Sequence, residues 1–259
     1  MPRRALIAGL GLIGGSVGMA LRARGWHVGY LDPYVNAADA IAAGAADERR
    51  EMIRQDGSDE VVILATPVDV ALRLLGSGPA GVITSVCSVM APLRAAANGI
   101  RFVAGHPMAG SERRGLAAAR ADLFAGRKWF VDADDDVVDA VIAACGAEKV
   151  RVDVHEHDNA MALVSHLPQV LSTALAASID GEDKFAGTGL ATFLRLAGSE
   201  ASVWQPILEA NRENIRTHFE RVVTLARDLI EGKGDTAAIF EKAQKLAERT
   251  ATSDQRPAK

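Results

Sequence analysis

The chain has 259 residues, of which 49% are hydrophobic, and a formal net charge of −4 at pH 7. This length suffices for one large domain or two ordinary ones. The acidic balance gives no electrostatic basis for binding nucleic acid or an anionic membrane, so neither partner is expected. Two isolated cysteines, no signal-peptide pattern and no apolar stretch near about 18 residues together predict a soluble cytoplasmic protein.

Residues 1–153 alternate between strand and helix patterns. Short apolar runs typical of strands are RALIAGL, HVGYLD, EVVILAT, GVITSVCS, RFVAGH, RKWFVDA and KVRVDV. Helical patterns lie between several of them, namely GGSVGMALRARG, VNAADAIAAG, VDVALRLLGSG and DDDVVDAVIAACGA. This alternation predicts βαβ units and a mostly parallel sheet with strands buried on both faces.

From residue 154 the strand patterns stop, and the chain predicts helices. HDNAMALVSHLPQVLSTALAASI indicates a long apolar helix that Pro168 should kink or divide. SVWQPILEANRENIRTHFERVVTLARDLIEG and TAAIFEKAQKLAERT indicate two more. We therefore expect a helical domain over residues 154–251, which buries apolar surface against a second copy of itself, and a disordered tail over residues 252–259.

The stretch GLGLIGGS carries the GxGxxG spacing between a strand and a helix. The second glycine allows a pyrophosphate to approach the backbone, the third allows close helix–strand packing, and free N–H groups at the helix start bind the anion. This context predicts a Rossmann-type dinucleotide-binding domain, although a purely structural turn is the alternative. The predicted cofactor-binding residues in the motif are Gly9, Gly11, Leu12, Ile13 and Gly14.

Two further strand ends are predicted to face the cofactor. Asp32 ends the second strand, where its carboxylate would bond to the adenosine ribose and repel a 2′-phosphate, which favours NAD over NADP. Thr66 and Pro67 follow a later strand and would border the nicotinamide. For Pro67, a plain role in the first turn of a helix is at least as good an interpretation.

Two candidate catalytic residues follow the next predicted strands. Ser88 and His106 each follow a strand, and a histidine in a glycine-bordered loop is a candidate general base, with a structural hydrogen-bonding role as the alternative. The segment HEHD at 155–158 has no third ligand at a suitable spacing, so we predict no metal site. That segment marks the domain junction, and Asp158 is expected at the start of a helix.

The order of these motifs resembles the prephenate/arogenate dehydrogenase family of tyrosine biosynthesis. The resemblance runs from about residue 4 to about residue 215, and its specific parts are HPMAGSE and HDNAMALVSHLP. It implies an NAD-dependent oxidative decarboxylation of prephenate or arogenate, with His106 as the base and Ser88 bonded to both that histidine and the substrate. The substrate-binding residues that it implies are His166, Arg195, Ser111, Glu112 and Trp204.

The residues taken alone leave other roles open for four of these positions. Arg195 suits a surface cation, Trp204 and His166 suit core residues, and Glu112 suits a solvated loop. An arginine is nevertheless well matched to a substrate carboxylate, because its planar guanidinium forms two parallel hydrogen bonds. Histidines on both domains would place the active site in the cleft between them.

Several positions depart from the family pattern. Met90 and Gln169 stand where lysine and histidine are common, Thr192 replaces a frequent acidic residue, and the loop carries Arg113 and Arg114. These changes leave the substrate open between prephenate, arogenate and a ring-amino analogue of a secondary pathway. A β-hydroxyacid or imine-type dehydrogenase is the alternative enzyme, although residues 157–180 lack the lysine that such enzymes use. A non-catalytic NAD sensor is the alternative outside catalysis.

Overall fold

The computed structural model describes residues 3–53, 61–77, 81–110 and 113–254. A six-stranded sheet, parallel throughout, forms the centre of the N-terminal part in the order β3-β2-β1-β4-β5-β6. Its strands are β1 Arg4–Ala8, β2 His27–Leu31, β3 Glu48–Arg49, β4 Val61–Leu64, β5 Val82–Ser85 and β6 Phe102–Val103. The predicted parallel sheet is confirmed, and β3 is a short strand that the sequence patterns did not indicate.

Helices cover both faces of this sheet. They are α1 Leu12–Arg22, α2 Ala37–Ala42, α3 Val68–Gly76, α4 Ala91–Ala96 and α5 Asp136–Ala144. Ile7 of β1 packs in the core with α1, α2 and α5, whereas its neighbours Leu6 and Ala8 pack with α3 and α4. Because both faces are buried, the strands lack a polar alternation, as predicted.

A second, three-stranded sheet was not predicted. It consists of β7 Gly105–Pro107, β8 Lys128–Val131 and β9 Glu148–Arg151, with β7 antiparallel and β9 parallel to β8. The run RFVAGH, predicted as one strand, divides between β6 and β7 at Ala104, whose N–H donates to Asp132 at 2.9 Å. A Cβ on Gly105 would lie 2.6 Å from the backbone oxygen of Ser85, so a glycine permits the close passage between the sheets.

The C-terminal part contains helices and, among its described residues, no strand after β9, as predicted. Its helices are α6 Val154–Met161, α7 Leu167–Ser178, α8 Thr188–Leu194, α9 Ala201–Ala210, α10 Arg212–Ile230 and α11 Thr236–Asp254. The single helix expected over residues 202–232 is wrong, because Asn211 separates α9 from α10. Helix α11 ends at Asp254, inside the segment expected to be a disordered tail; residues 255–259 lie outside the described part, and the disorder of the tail stays a prediction.

The helical run Val154–Ser178 corrects the expectation that the chain has no apolar stretch near about 18 residues. It contains α6, a π-helical segment Ala162–His166 and α7, and its 25 residues are long and apolar enough to cross a membrane. A third of its most apolar window, 33%, is buried within the protein. His157, Asp158 and His166 on its inward face are buried and bond to other elements, so this face of the run packs within the protein.

Pro168 lies in the first turn of α7, within a helical run that is continuous from Val154 to Ser178, so the run is not divided there and a kink at Pro168 stays a prediction. Proline lacks the N–H that an α-helix needs, and the π-helical segment directly precedes it. Such segments often occur at functional positions, because they shift the side chains relative to a regular helix. Here the segment ends at His166, one of the predicted substrate-binding residues.

Candidate active site

The loop between β1 and α1 has the shape that a dinucleotide requires. Gly9 adopts a φ of +90°, and a Cβ there would lie 2.5 Å from the backbone oxygen of Ala65. A Cβ on Gly14 would lie 1.9 Å from the oxygen of Gly9, so this glycine permits the close packing of helix and loop. A Cβ on Gly11 would meet nothing within 4 Å, and α1 has no side-chain cap there and no acidic residue in its first turn. The N–H groups of α1 therefore face open space that suits a pyrophosphate.

Asp32 connects this loop to the end of β2. Its Oδ2 accepts a hydrogen bond from the N–H of Leu10 at 2.8 Å, and its Oδ1 accepts from the N–H of Tyr34 at 2.8 Å. A carboxylate has about four acceptor positions, so it can still receive ribose hydroxyls. The structure thus adds a loop-ordering role to the predicted ribose contact, which stays a prediction.

Thr66 and Pro67 follow β4 on the other side of the glycine loop. The Thr66 hydroxyl is buried and has no hydrogen-bond partner among the described residues, and its methyl group would touch a Cβ on Gly9 at 3.0 Å. Pro67 is the N-cap residue of α3. Thr66 therefore offers a polar group to a cofactor, whereas Pro67 has the helix-starting role that was its alternative interpretation.

His106 lies within β7, opposite Phe130 of β8, rather than just after a strand as predicted. Its ring is half-buried, and its Nδ1 lies 2.9 Å from Nε2 of His157. The two rings meet edge to face, with centroids 5.1 Å apart and an interplanar angle of 83°. Ser88 is half-buried after β5, but no hydrogen bond to His106 is found for it among the described residues; its role stays a prediction.

His157 and Asp158 were not assigned to the site from the sequence. His157 Nδ1 lies 2.8 Å from Asp158 Oδ1, and both residues are buried. The Asp158 carboxylate also accepts the backbone N–H groups of Met90 at 2.8 Å and Ala91 at 2.9 Å, across 68 and 67 residues of chain. The expectation that Asp158 begins a helix is wrong, because Asp153 is the N-cap of α6.

The segment HEHD, considered as a metal site, lies within α6. His155 is exposed and His157 is buried, so the two imidazoles of the HxH pair do not converge. The adjacent residues His157 and Asp158 were visible in the sequence as a possible hydrogen-bonded pair, and they form one in the structure. Its partners in α4 and β7 become apparent only when the chain is folded.

His166 is fully buried at the end of the π-helical segment. Its Nδ1 lies 3.1 Å from the side-chain nitrogen of Asn211, and its Nε2 has no partner within the described chain. The half-buried ring of Trp204 meets it edge-on, with centroids 6.0 Å apart, and also packs against the core cluster of α3 and α4. Trp204 thus packs partly against the core, which was its alternative role, and its contact with a substrate stays a prediction. Asn211 is a further polar residue that sequence reasoning missed.

Both candidate histidines are held in the neutral form. Burial, with repulsion from His157 and His166, lowers the pKa of His106 to about 3. Burial lowers the pKa of His166 to about 4, although the Asp158 carboxylate opposes this shift. His106 is therefore neutral at pH 7, as a proton acceptor must be, and the lowered pKa makes it a weaker base than an ordinary histidine.

Arg195, a further predicted residue, lies on the turn Arg195–Gly198. Arg195 is exposed on this 3₁₀ turn, which Gln169 fastens to α7 by donating to the Leu196 oxygen at 2.9 Å. Ser111 and Glu112 lie outside the described residues. Arg114, in the same loop, donates to the Gly198 oxygen at 3.3 Å and forms an ion pair with Glu200, so this loop contacts the Arg195 turn.

Comparisons with known proteins agree with this geometry. Residues 17–151 match the family model described as prephenate dehydrogenase, nucleotide-binding domain, and residues 153–245 match prephenate dehydrogenase, dimerization domain. The chain belongs to the prephenate dehydrogenase family. The predicted family and the predicted fold, a Rossmann-type domain followed by a helical domain, are both confirmed.

Individual members of the prephenate dehydrogenase family resemble the chain over most of its length. The probable prephenate dehydrogenase NovF of Streptomyces niveus is 32% identical over 88% of this chain and 67% of that protein. The prephenate dehydrogenase of Bacillus subtilis is 29% identical over 83% of this chain and 66% of its own. The A. aeolicus prephenate dehydrogenase, solved with hydroxyphenyl propionate and NAD+, superimposes with a TM-score of 0.79 and 26% identity over 98% of both chains.

Proposed function

We propose that this chain is an NAD-dependent dehydrogenase that oxidatively decarboxylates a cyclohexadienyl acid, prephenate or arogenate. The observation that carries the proposal is the 2.9 Å contact between His106 of β7 and His157 of the adjoining helical domain. A base at a domain junction, beside a loop shaped for a dinucleotide, is what such a reaction requires. The names of the related proteins support the same chemistry.

Residues of the N-terminal part bind the cofactor and accept the proton in the proposed reaction. NAD, when bound, supplies the acceptor for the hydride that leaves the ring carbon bearing the hydroxyl group. His106 takes the hydroxyl proton at Nε2, and Ser88 holds the same hydroxyl by a hydrogen bond. Loss of CO₂ then breaks the bond between the ring and its carboxylate, and the electrons of that bond complete the aromatic ring. Gly11, Asp32 and Thr66 bind the cofactor.

Residues of the helical part bind the substrate. Arg195 pairs with a substrate carboxylate, His166 donates a hydrogen bond from Nε2, and Trp204 forms one wall of the pocket. Ser111 and Glu112, which lie outside the described residues, bind the substrate, and Arg114 of the same chain segment bonds to the Gly198 oxygen. In this arrangement residues 1–153 bind the cofactor and residues 154–251 bind the substrate and a second subunit.

The second subunit covers apolar surface on the helices. A groove of about 700 Å³ between α7, α9 and α10 is lined mainly by apolar side chains, including Val170, Leu208 and Phe219. Large apolar side chains are exposed on the same part of the chain, including Phe185, Phe193, Ile230 and Phe240. A homodimer through these helices would bury them, and the matched dimerization domain supports this assembly. We place this dimer in the cytoplasm, where the two free cysteines stay reduced.

The test is the formation of NADH by purified protein with NAD and either prephenate or arogenate, assayed in parallel. A rate with one or both substrates would establish the reaction and decide the side chain. The His106→Asn variant, which still binds NAD, serves as the control for a contaminating activity. Turnover of a β-hydroxyacid without turnover of either cyclohexadienyl acid, or NAD binding with no turnover of these or of a ring-amino analogue, would overturn the proposal.

A further inference from the structure

The hydrogen-bond donors around Asp158 determine the direction of a chain of hydrogen bonds. The backbone N–H groups of Met90 and Ala91 are donors only, and each points at one carboxylate oxygen of Asp158. The carboxylate is therefore an acceptor towards His157, whose Nδ1 at 2.8 Å carries the hydrogen. When the His157 ring carries this one hydrogen, its Nε2 is the acceptor.

The same direction continues to His106. His157 Nε2 lies 2.9 Å from His106 Nδ1, so the hydrogen between them belongs to Nδ1 of His106. Because neutral imidazole carries one N–H, Nε2 of His106 then has the free lone pair. The direction of the chain thus places the basic nitrogen on the side of the ring away from His157.

The second site histidine is held in the opposite tautomer. The Asn211 side-chain nitrogen lies 2.7 Å from the backbone oxygen of Asp158, which is an acceptor only, so this atom is the NH₂ group. Asn214 donates to the Asn211 oxygen at 2.8 Å, which agrees with this orientation. The NH₂ group then donates to His166 Nδ1 at 3.1 Å and leaves Nε2 of His166 as an N–H donor.

We propose that His157, oriented by Asp158, is a positioning residue that holds His106 in the Nδ1–H tautomer with Nε2 ready to accept the substrate proton. The Asp158 carboxylate is bonded to α4 of the N-terminal part while its own helix belongs to the C-terminal part. The base is consequently oriented only when the two parts are packed together. The identity of the proton donor rests on the proposed function, whereas the tautomer of His106 does not.

The tautomers are measured directly by nitrogen–proton correlation NMR of the ¹⁵N-histidine-labelled protein with NAD bound. The chain has six histidines, and the His106 signals are assigned by their loss in His106→Asn. We expect the protonated nitrogen of His106 to be Nδ1 and that of His166 to be Nε2. An Nε2–H tautomer for His106 would refute the proposal, whatever the protein does with a substrate.

A matched pair of variants separates positioning from packing. His157→Gln places a carbonyl oxygen where it can still accept from His106 Nδ1, whereas His157→Leu fills similar space without an acceptor. We expect His157→Leu to lower kcat by about 10- to 100-fold, in the range of other residues that orient a reacting group. We expect His157→Gln to stay within about threefold of wild type, and the exposed His155→Leu on the same helix serves as the control.

The outcomes distinguish this proposal from the proposed function. Equal losses in His157→Leu and His157→Gln, with the His106 tautomer and the NAD affinity unchanged, would mean that His157 acts only by packing. A mixture of His106 tautomers in His157→Leu, restored in His157→Gln, would support the positioning role. If the wild type turned over no cyclohexadienyl acid but showed the expected tautomers, the proposed function alone would fail.

Discussion

The side-chain nitrogen of Asn211 lies 3.1 Å from Nδ1 of His166, and Asn211 is also the residue that separates α9 from α10. The same residue therefore separates α9 from α10 and donates a hydrogen bond to His166. Asn211 is buried, and its amide bonds to His166, to the Asp158 backbone and to Asn214.

Asn211→Asp tests this relationship with almost no change in shape. The carboxylate accepts rather than donates, so His166 would take the Nδ1–H tautomer and could no longer donate from Nε2. We expect the KM for the substrate to rise by roughly tenfold, the loss of one hydrogen bond to a charged group, with a smaller change in kcat. Asn214→Ala is the control, because it leaves the Asn211 NH₂ group in place; an unchanged KM in Asn211→Asp would remove His166 from substrate binding.

His106→Asn removes the base while preserving a polar side chain of smaller size. We expect kcat to fall by roughly 10²–10⁴-fold, the usual contribution of a general base. Binding of NAD, followed by the quenching of tryptophan fluorescence, should not change. A loss of less than tenfold would assign the proton transfer to another group.

Asp32→Asn and Asp32→Ala separate the two roles that the structure gives this carboxylate. The asparagine oxygen can still accept the N–H of Leu10, so the glycine loop keeps its connection to β2 while the negative charge is lost. We expect the preference of kcat/KM for NAD over NADP to fall by about tenfold in Asp32→Asn, because the repulsion of the 2′-phosphate disappears. Asp32→Ala should in addition weaken the binding of both cofactors. An unchanged preference in both variants would place cofactor selection elsewhere.

Arg195→Ala is expected mainly to raise the KM for the substrate, by roughly 10- to 100-fold. The guanidinium is exposed on its 3₁₀ turn, so its loss should hardly affect folding. Steady-state kinetics with the better of the two substrates measures the effect. Arg73→Ala, which removes an exposed arginine of α3, serves as the control. Equal KM values in both variants would show that Arg195 does not bind the substrate.

The stability of the protein should decrease at acidic pH partly through His166. Burial lowers the pKa of His166 to about 4 from the ordinary 6.5, so between these pH values the unfolded chain binds more protons than the folded one. The free energy of unfolding is therefore highest above pH 6.5 and falls as the pH drops towards about 4. Thermal unfolding from about pH 7 to about pH 5 measures this slope. We expect a flatter dependence in His166→Gln and no change in slope for His155→Gln, and equal slopes in all three proteins would contradict the assignment.

Local patterns determined the α/β domain, the glycine loop and the helical character of the C-terminal part. Strand and helix signals depend on neighbouring residues. Gly14 is required by packing within one βα unit, Gly9 by its close approach to Ala65 after β4, and Gly11 leaves open space. The identities of His106, His166 and Arg195 as candidates likewise came from motifs in the sequence, through the resemblance to a known family. The sequence patterns missed the split of RFVAGH between two sheets, because Asp132 and Trp129 meet that segment from a distant part of the chain.

Only the tertiary structure decided how the polar residues are connected. Asp158 is bonded to Met90 across 68 residues, and His157 meets His106 across 51 residues, so no local pattern contains these pairs. The direction of each hydrogen bond depends on which donors and acceptors folding brings together, and the tautomers of His106 and His166 follow from those partners. The sequence by itself thus determined the candidates for the chemistry, whereas their protonation and orientation depend on contacts that exist only in the folded chain.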